Sequence, residues 1–222
     1  MADNEHDPNT LVEAARRHLG EAQLGDEALD VLAEVVERYD RLAAEMRRLT
    51  EISDRVMSAD HTDALTGVYN REHFFELANQ ELERARRFGR PFSILTIDID
   101  HFERINDQHG RAAGDVVLQA LAAANLGILR RIDGFGRLDG DDFAALLPET
   151  ETTGAVVLAE RLREAVANMG VAVGTESIEF TISLGVACWW GSEATVEAML
   201  QRAEEARRAA RGEGETKVGI AT

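Results

Sequence analysis

FGRLDGDDFAALL, residues 135–147, sets an Asp-Gly pair between two apolar runs. That arrangement is among the strongest short-range signals for a β-hairpin, because Asp and Gly accept the backbone a tight turn needs. Upstream, Pro91 opens an apolar run over 92–97 that reads as a buried strand ending in Asp98-Ile99-Asp100. Helical patterns surround these strands at 71–87, 102–108, 115–129 (after Gly114), 152–169 and 195–211. Further strands are predicted over 180–187 and 217–220. Helices alternating with short strands in this way specify a mixed α/β domain over residues 61–222.

The first 60 residues read differently. A short amphipathic helix is predicted over 10–24, ending before Gly25, and a longer helix begins near Glu27. Its apolar residues Leu32, Val35, Tyr39, Leu42, Met46, Leu49 and Val56, with Ser53 as a polar break, alternate in steps of three and four. A seam of that kind over residues 27–58 fits a parallel two-stranded coiled-coil stalk, or one helix packed on its own domain.

Composition narrows the function classes. With 45% apolar residues the chain builds a real core, and 41 acidic against 24 basic residues give a charge of −17. Such a field repels phosphate backbones and anionic lipid, so neither nucleic-acid binding nor membrane insertion is expected. Cys188 is the lone cysteine and no Cys/His group has zinc-finger spacing, which suits a reducing cytoplasmic setting. No stretch of about 18 apolar residues occurs, and the N-terminus lacks a signal-like apolar core.

Strand alternation puts Asp98 and Asp100 on one face at a carboxyl end, where ligand sites gather, and Asp141 sits in the hairpin turn. Two carboxylates from separate segments plus the Ile99 carbonyl suit Mg²⁺, although Asp100 is equally placed to cap the helix that follows.

Six landmarks in order carry a resemblance: Asp63-Ala-Leu-Thr-Gly-Val-Tyr-Asn-Arg71, Asp98-Ile-Asp-His-Phe102, Ile105-Asn-Asp107, Gly114-Asp115, Arg137-Leu-Asp-Gly-Asp-Asp-Phe143 and Thr181-Ile-Ser-Leu-Gly185. Together they resemble the GGDEF family of diguanylate cyclases. The resemblance implies an α/β (α+β) fold of nucleotide-cyclase type, a palm-like antiparallel sheet flanked by helices. It also implies a reaction between two facing domains, in which the 3′-hydroxyl of each GTP attacks the α-phosphate of the other to give cyclic di-GMP and pyrophosphate. Matched by position, Asp98, the Ile99 carbonyl and Asp141 would hold Mg²⁺ or Mn²⁺ when GTP is bound. Asn106 and Asp115 would read guanine, and Arg130 with Asp133 match the inhibitory product-binding motif.

The departures gather around phosphate. Asp139 replaces the first glycine of the signature, ahead of Gly140, and Asp142 follows Asp141 in place of glutamate. Of three basic phosphate-binding positions, Glu103 and Glu215 are reversed and Arg211 is kept, while Ala206-Arg207-Arg208 replaces the usual Ala-Leu-Tyr. Like charges about 4 Å apart cost roughly 4 kcal/mol at an effective dielectric near 20 and about 1 kcal/mol in water, so Asp139, Glu103 and Glu215 together oppose a triphosphate by several powers of ten. Three readings follow. One is a catalytically inactive cyclic di-GMP receptor with GTP weak or absent, acting on an unknown protein partner. The second is an active cyclase tolerating an unusual signature. The third is a homodimeric scaffold that binds no nucleotide.

The heptad seam has a direct consequence. Light scattering at tens of micromolar is expected to give a dimer for the full chain and a monomer for a version starting at Asp60. Monomers in both cases would remove the stalk.

Overall fold

The computed structural model describes residues 35, 38, 39, 41–46, 61–174, 176–191, 195–212 and 217–221. The chain divides into two units, Met1–Ser58 and Ala59–Thr222. The described residues of the first are helical, and Val35, Tyr39, Leu42 and Met46 expose between 55% and 69% of their surface. The rest of the expected stalk and the helix expected over 10–24 lie outside the described residues.

The second unit is built on β1 (Phe92–Ile99), buried along its whole length. A strand covered on both faces carries apolar residues on each, as Phe92 and Ile94 do on one side and Leu95 and Ile97 on the other. β1 pairs antiparallel with β3 (Asp142–Pro148) on one side and β6 (Ile182–Cys188) on the other. β2 (Gly134–Asp139) extends the sheet beyond β3, and β7 (Val218–Ile220) lies beyond β6, giving the order β2-β3-β1-β6-β7. The expected antiparallel palm is therefore present, except that β7 joins β6 in parallel.

Alternation assigns the two faces. Leu95, Ile97 and Ile99 join Phe143, Ala145 and Leu147 against α3 (Arg111–Ile128) and α4 (Thr152–Ala167), which contribute Val117, Leu121, Ala159 and Leu162. Phe92, Ile94, Ala144 and Leu146 face the other way, onto Phe74, Ala78 and Leu82 of α1 (Arg71–Phe88) and Met199 of α5 (Val196–Gly212). Each fully buried large side chain contributes roughly 1.5–3 kcal/mol. By the same alternation Asp98 and Asp142 lie on the face that α5 covers.

Two details differ from the sequence reading. α3 starts at Arg111 rather than at 115, directly after the short α2 (Phe102–His109), because Gly110 at φ 83 reverses the chain between them. A two-stranded hairpin of β4 (Gly170–Val173) and β5 (Glu176–Glu179) was not expected; its four-residue strands are too short to show an alternation. Among the described residues no helix is long and apolar enough to cross a membrane.

α5 seats unusually close to the sheet. A Cβ built on Gly185 would come within 1.9 Å of the Ala203 carbonyl oxygen, and one on Gly219 within 2.0 Å of that of Ala206. Both obstacles are backbone, so the helix itself must move. Gly185→Ala is expected to lower unfolding free energy by about 1–3 kcal/mol in urea titration, as overpacking does. An unchanged midpoint would mean α5 has slack.

Candidate functional site

The hairpin turn between β2 and β3 consists of Gly140 and Asp141, with Asp139 paired to Asp142 across it and an irregularity between Arg137 and Asp139. Gly140 takes φ 45, so this glycine is conformationally required. Asp139 is not among the positive-φ residues, and replacing a glycine there strains nothing in the chain itself. Arg137 fixes the turn: its Nε donates to the Gly140 carbonyl at 2.7 Å and its Nη1 to Asp63 Oδ1 at 3.1 Å. Asp63 is in turn positioned by donors from Thr66.

Asp98, Ile99, Glu103, Asp141 and Arg211 line one cleft of about 510 Å³, so the three positions matched to metal ligands come together with one kept and one reversed phosphate position. Asp98 is 8% exposed. Its Oδ2 is claimed twice, by Arg211 Nη1 at 2.8 Å and by Arg207 Nη1 at 3.0 Å. Asp100 does not depend on the helix beginning at Phe102. It accepts from Ser183 Oγ at 2.6 Å and Thr181 Oγ1 at 2.7 Å and faces Arg211 at 3.4 Å, while the N-cap position of α2 falls on His101.

Arg207 is the residue the sequence reading noticed without giving it a role. It is 7% exposed and reaches Asp98, Asp142 Oδ1 at 3.1 Å and Glu204 Oε2 at 2.7 Å. Its signal was present in α5: Met199, Ala203 and Arg207 follow at four-residue steps, which places the guanidinium on the helix face that meets the sheet. Burial, with the Glu204, Asp141 and Asp139 carboxylates nearby, pushes the Asp142 carboxyl up to about 6. Burial also raises Asp141, and burial together with Arg211 and Arg208 brings Arg207 down to about 10.

A pair of divalent cations is what the resemblance implies for this cleft. As held here the donors do not fit that group, since a cation at Asp98 must displace at least one guanidinium. Arg207 is itself locked by Asp142 and Glu204, and a buried charge is costly to leave unpaired.

The positions that the resemblance matches to guanine contacts sit on neighbouring helices. Asn106 of α2 lies so near Gly114 of α3 that a Cβ there would fall 2.0 Å from its Oδ1, and Asp115 comes next in the chain. Arg130 and Asp133 lie elsewhere, in the turn between α3 and β2. The Arg130 N–H donates to Asp133 Oδ2 at 2.8 Å, and the Asp133 N–H to the Arg130 carbonyl at 2.9 Å. Asp133 Oδ1 is buried without a hydrogen-bond partner, and burial raises this carboxyl. Asp133 and Arg131 line a separate cleft of about 420 Å³ with Arg84 and Glu149. Glu215 lies outside the described residues.

Residues 60–217 match the family model described as diguanylate cyclase, GGDEF domain. The diguanylate cyclase DgcP of Pseudomonas aeruginosa is 38% identical over 160 residues, covering 72% of this chain and 24% of the relative. The response regulator PleD of Caulobacter vibrioides is also 38% identical, over 71% of this chain and 35% of its own. The chain thus spans about a quarter to a third of the length of these curated relatives. Among solved structures, the coiled coil and GGDEF domain of DgcB from Caulobacter crescentus, in complex with c-di-GMP, aligns with a TM-score of 0.75 at 25% identity, covering 84% of this chain and 99% of that one. The diguanylate cyclase SiaD of Pseudomonas aeruginosa, in complex with its activator SiaC, aligns at 0.71 with 31% identity over 96% of this chain and 86% of its own.

Arg207→Leu tests the clamp. Removing one member of a buried ionic network is expected to cost about 3 kcal/mol, read by thermal or urea unfolding. Millimolar Mg²⁺ is expected to restore part of that loss in the variant and to leave the wild type unmoved. An equal Mg²⁺ shift in both would show that Arg207 does not compete with a cation.

Proposed function

The chain belongs to the GGDEF family, and from that membership we propose that it serves cyclic di-GMP signalling as a receptor that no longer makes the nucleotide. One observation carries the reading. The guanidinium of Arg207 is held among Asp98, Asp142 and Glu204, the ground on which a triphosphate's cations would have to stand. Glu103 in the same cleft adds a further anion facing the phosphates.

The receptor half rests on what remains. Arg130 offers a planar fork of donors for a guanine Hoogsteen edge or a phosphate, and Asp133 can accept from guanine ring N–H and amino groups. Asp133 Oδ1, lacking a donor within the protein, recovers a hydrogen bond when such a ligand arrives. Cyclic di-GMP carries only two phosphodiester charges, so the chain's acidic field penalises it less than GTP. A homodimer formed through the stalk is supported by the exposed Val35, Tyr39, Leu42 and Met46, spaced by four, three and four. The buried, unpaired Cys188 suits the cytoplasm.

An active cyclase is the second reading, favoured by the intact Asp98, Asn106, Asp115 and Asp141. Calorimetric titration of the full chain separates the two. Cyclic di-GMP is expected to bind in the micromolar range, about −8 kcal/mol. Arg130→Ala should weaken it roughly ten- to a hundredfold, through loss of a charge-assisted contact. Asp98→Ala should leave it unchanged, and GTP with Mg²⁺ should give neither heat nor chromatographic product. Product at ordinary cyclase turnover puts the enzyme first, and silence with both nucleotides leaves the scaffold.

A further inference from the structure

His61, His73 and Glu76 can each offer one ligand atom, with the three atoms all within 4.8 Å of one another. Nothing in the nucleotide reading uses them. Asn70 places both histidines. Its N–H donates to the His61 carbonyl at 2.9 Å, beside the Thr62–Tyr69 bridge, and its Oδ1 accepts the His73 N–H at 2.9 Å as the N-cap of α1. The two imidazoles stack with centroids 4.1 Å apart and planes 18° from parallel, and the Tyr69 ring meets His73 edge-on at 4.8 Å. Glu76 follows His73 by three residues, so the helix puts both on one face.

From this geometry we propose a binding site for a divalent transition metal of borderline softness, Zn²⁺ above all, on His61, His73 and Glu76. His73 Nδ1 and Glu76 Oε2 stand 3.0 Å apart with one proton between them. With metal–nitrogen and metal–oxygen bonds of about 2.0–2.2 Å in a tetrahedral set, two adjacent ligand atoms are separated by roughly 3.3–3.6 Å, so the cation takes the proton's place once the two groups part by a few tenths of an ångström. The proton leaves to solvent, as it does whenever a metal replaces hydrogen on an imidazole. His61 completes the set by turning its ring edge toward the same point. Glu76 is exposed and free to adjust, and water fills the remaining positions. Two imidazoles and one carboxylate suit Zn²⁺, Co²⁺ or Ni²⁺ and serve Mg²⁺ poorly, which keeps this site apart from the acidic cleft. Once bound, the ion ties the segment leading into the domain at His61 to the first turn of α1.

The test uses the full chain, Co²⁺ as the coloured probe and Zn²⁺ as competitor. One equivalent of Co²⁺ is expected to develop visible ligand-field bands that Zn²⁺ abolishes and excess Mg²⁺ does not. His61→Gln and Glu76→Gln should each weaken Zn²⁺ binding by about tenfold or more, the loss expected when a metal ligand or its support is removed. The double change of His6 and His18 to Gln should leave it unaffected. Glu76 is exposed, so its variant keeps the fold, with far-ultraviolet circular dichroism as the check. No bands, or bands of undiminished affinity in both the His61 and Glu76 variants, would overturn the site and leave an adventitious ion only.

Discussion

The closeness of α5 to the sheet governs the chemistry of the cleft. Because Gly185 and Gly219 present only hydrogen to the carbonyls of Ala203 and Ala206, the helix rests on β6 and β7 backbone to backbone. One turn beyond Ala203, Arg207 is buried between α5 and the sheet, where Asp98 of β1 and the more exposed Asp142 of β3 both reach it. A guanidinium so placed must be matched by carboxylates or be very costly to bury. Asp98 and Asp142 match it, and the crowding shows in Asp142, raised to about 6, and Arg207, lowered to about 10. A leucine at the same position would leave the acids to find their own counterions. One substitution therefore changes what the carboxylates are paired with, while the backbone that presents them is unaltered.

The two clefts differ in what holds them. Asp98 and Asp141 depend on α5 and on the turn clamped by Arg137, whereas Arg130 and Asp133 are fixed by each other's backbone in a short turn. Charge changes on α5 can therefore alter one cleft and leave the other intact. This separation lets Glu103 and Arg207 stand in the acidic cleft without disturbing the turn that holds Arg130 and Asp133.

The hairpin and the central strand were legible because each rests on local chemistry: an Asp-Gly turn, and an apolar run that no helix face requires. The helices were legible from their 3.6-residue repeat. The start of α3 was misread because Gly114 looked like a boundary, whereas its missing side chain serves to admit Asn106 and the real reversal is at Gly110. The β4–β5 hairpin left too short a pattern to see. In the site, the acids were found from motif register, but the pairing of Arg207 with them was not, since it depends on how near α5 comes to the sheet. The closeness of His61 and His73 was not legible for a similar reason: they are twelve residues apart and meet through Asn70 and their own ring stacking.

Tyr69, just ahead of the N-cap of α1, also covers part of a sheet edge. Its N–H donates to the Phe135 carbonyl at 3.0 Å and its own carbonyl accepts from Arg137 N–H at 2.8 Å, so a single residue occupies part of the outer edge of β2. The opposite edge strand, β7, is only three residues long, and β4 and β5 have four each. Open sheet edges are where one chain templates another into cross-β growth. Among the described residues, then, β7, β4 and β5 offer a neighbouring chain only three or four residues to pair with, and β2 is interrupted at its middle, so every edge gives poor purchase for extending one copy's sheet by another.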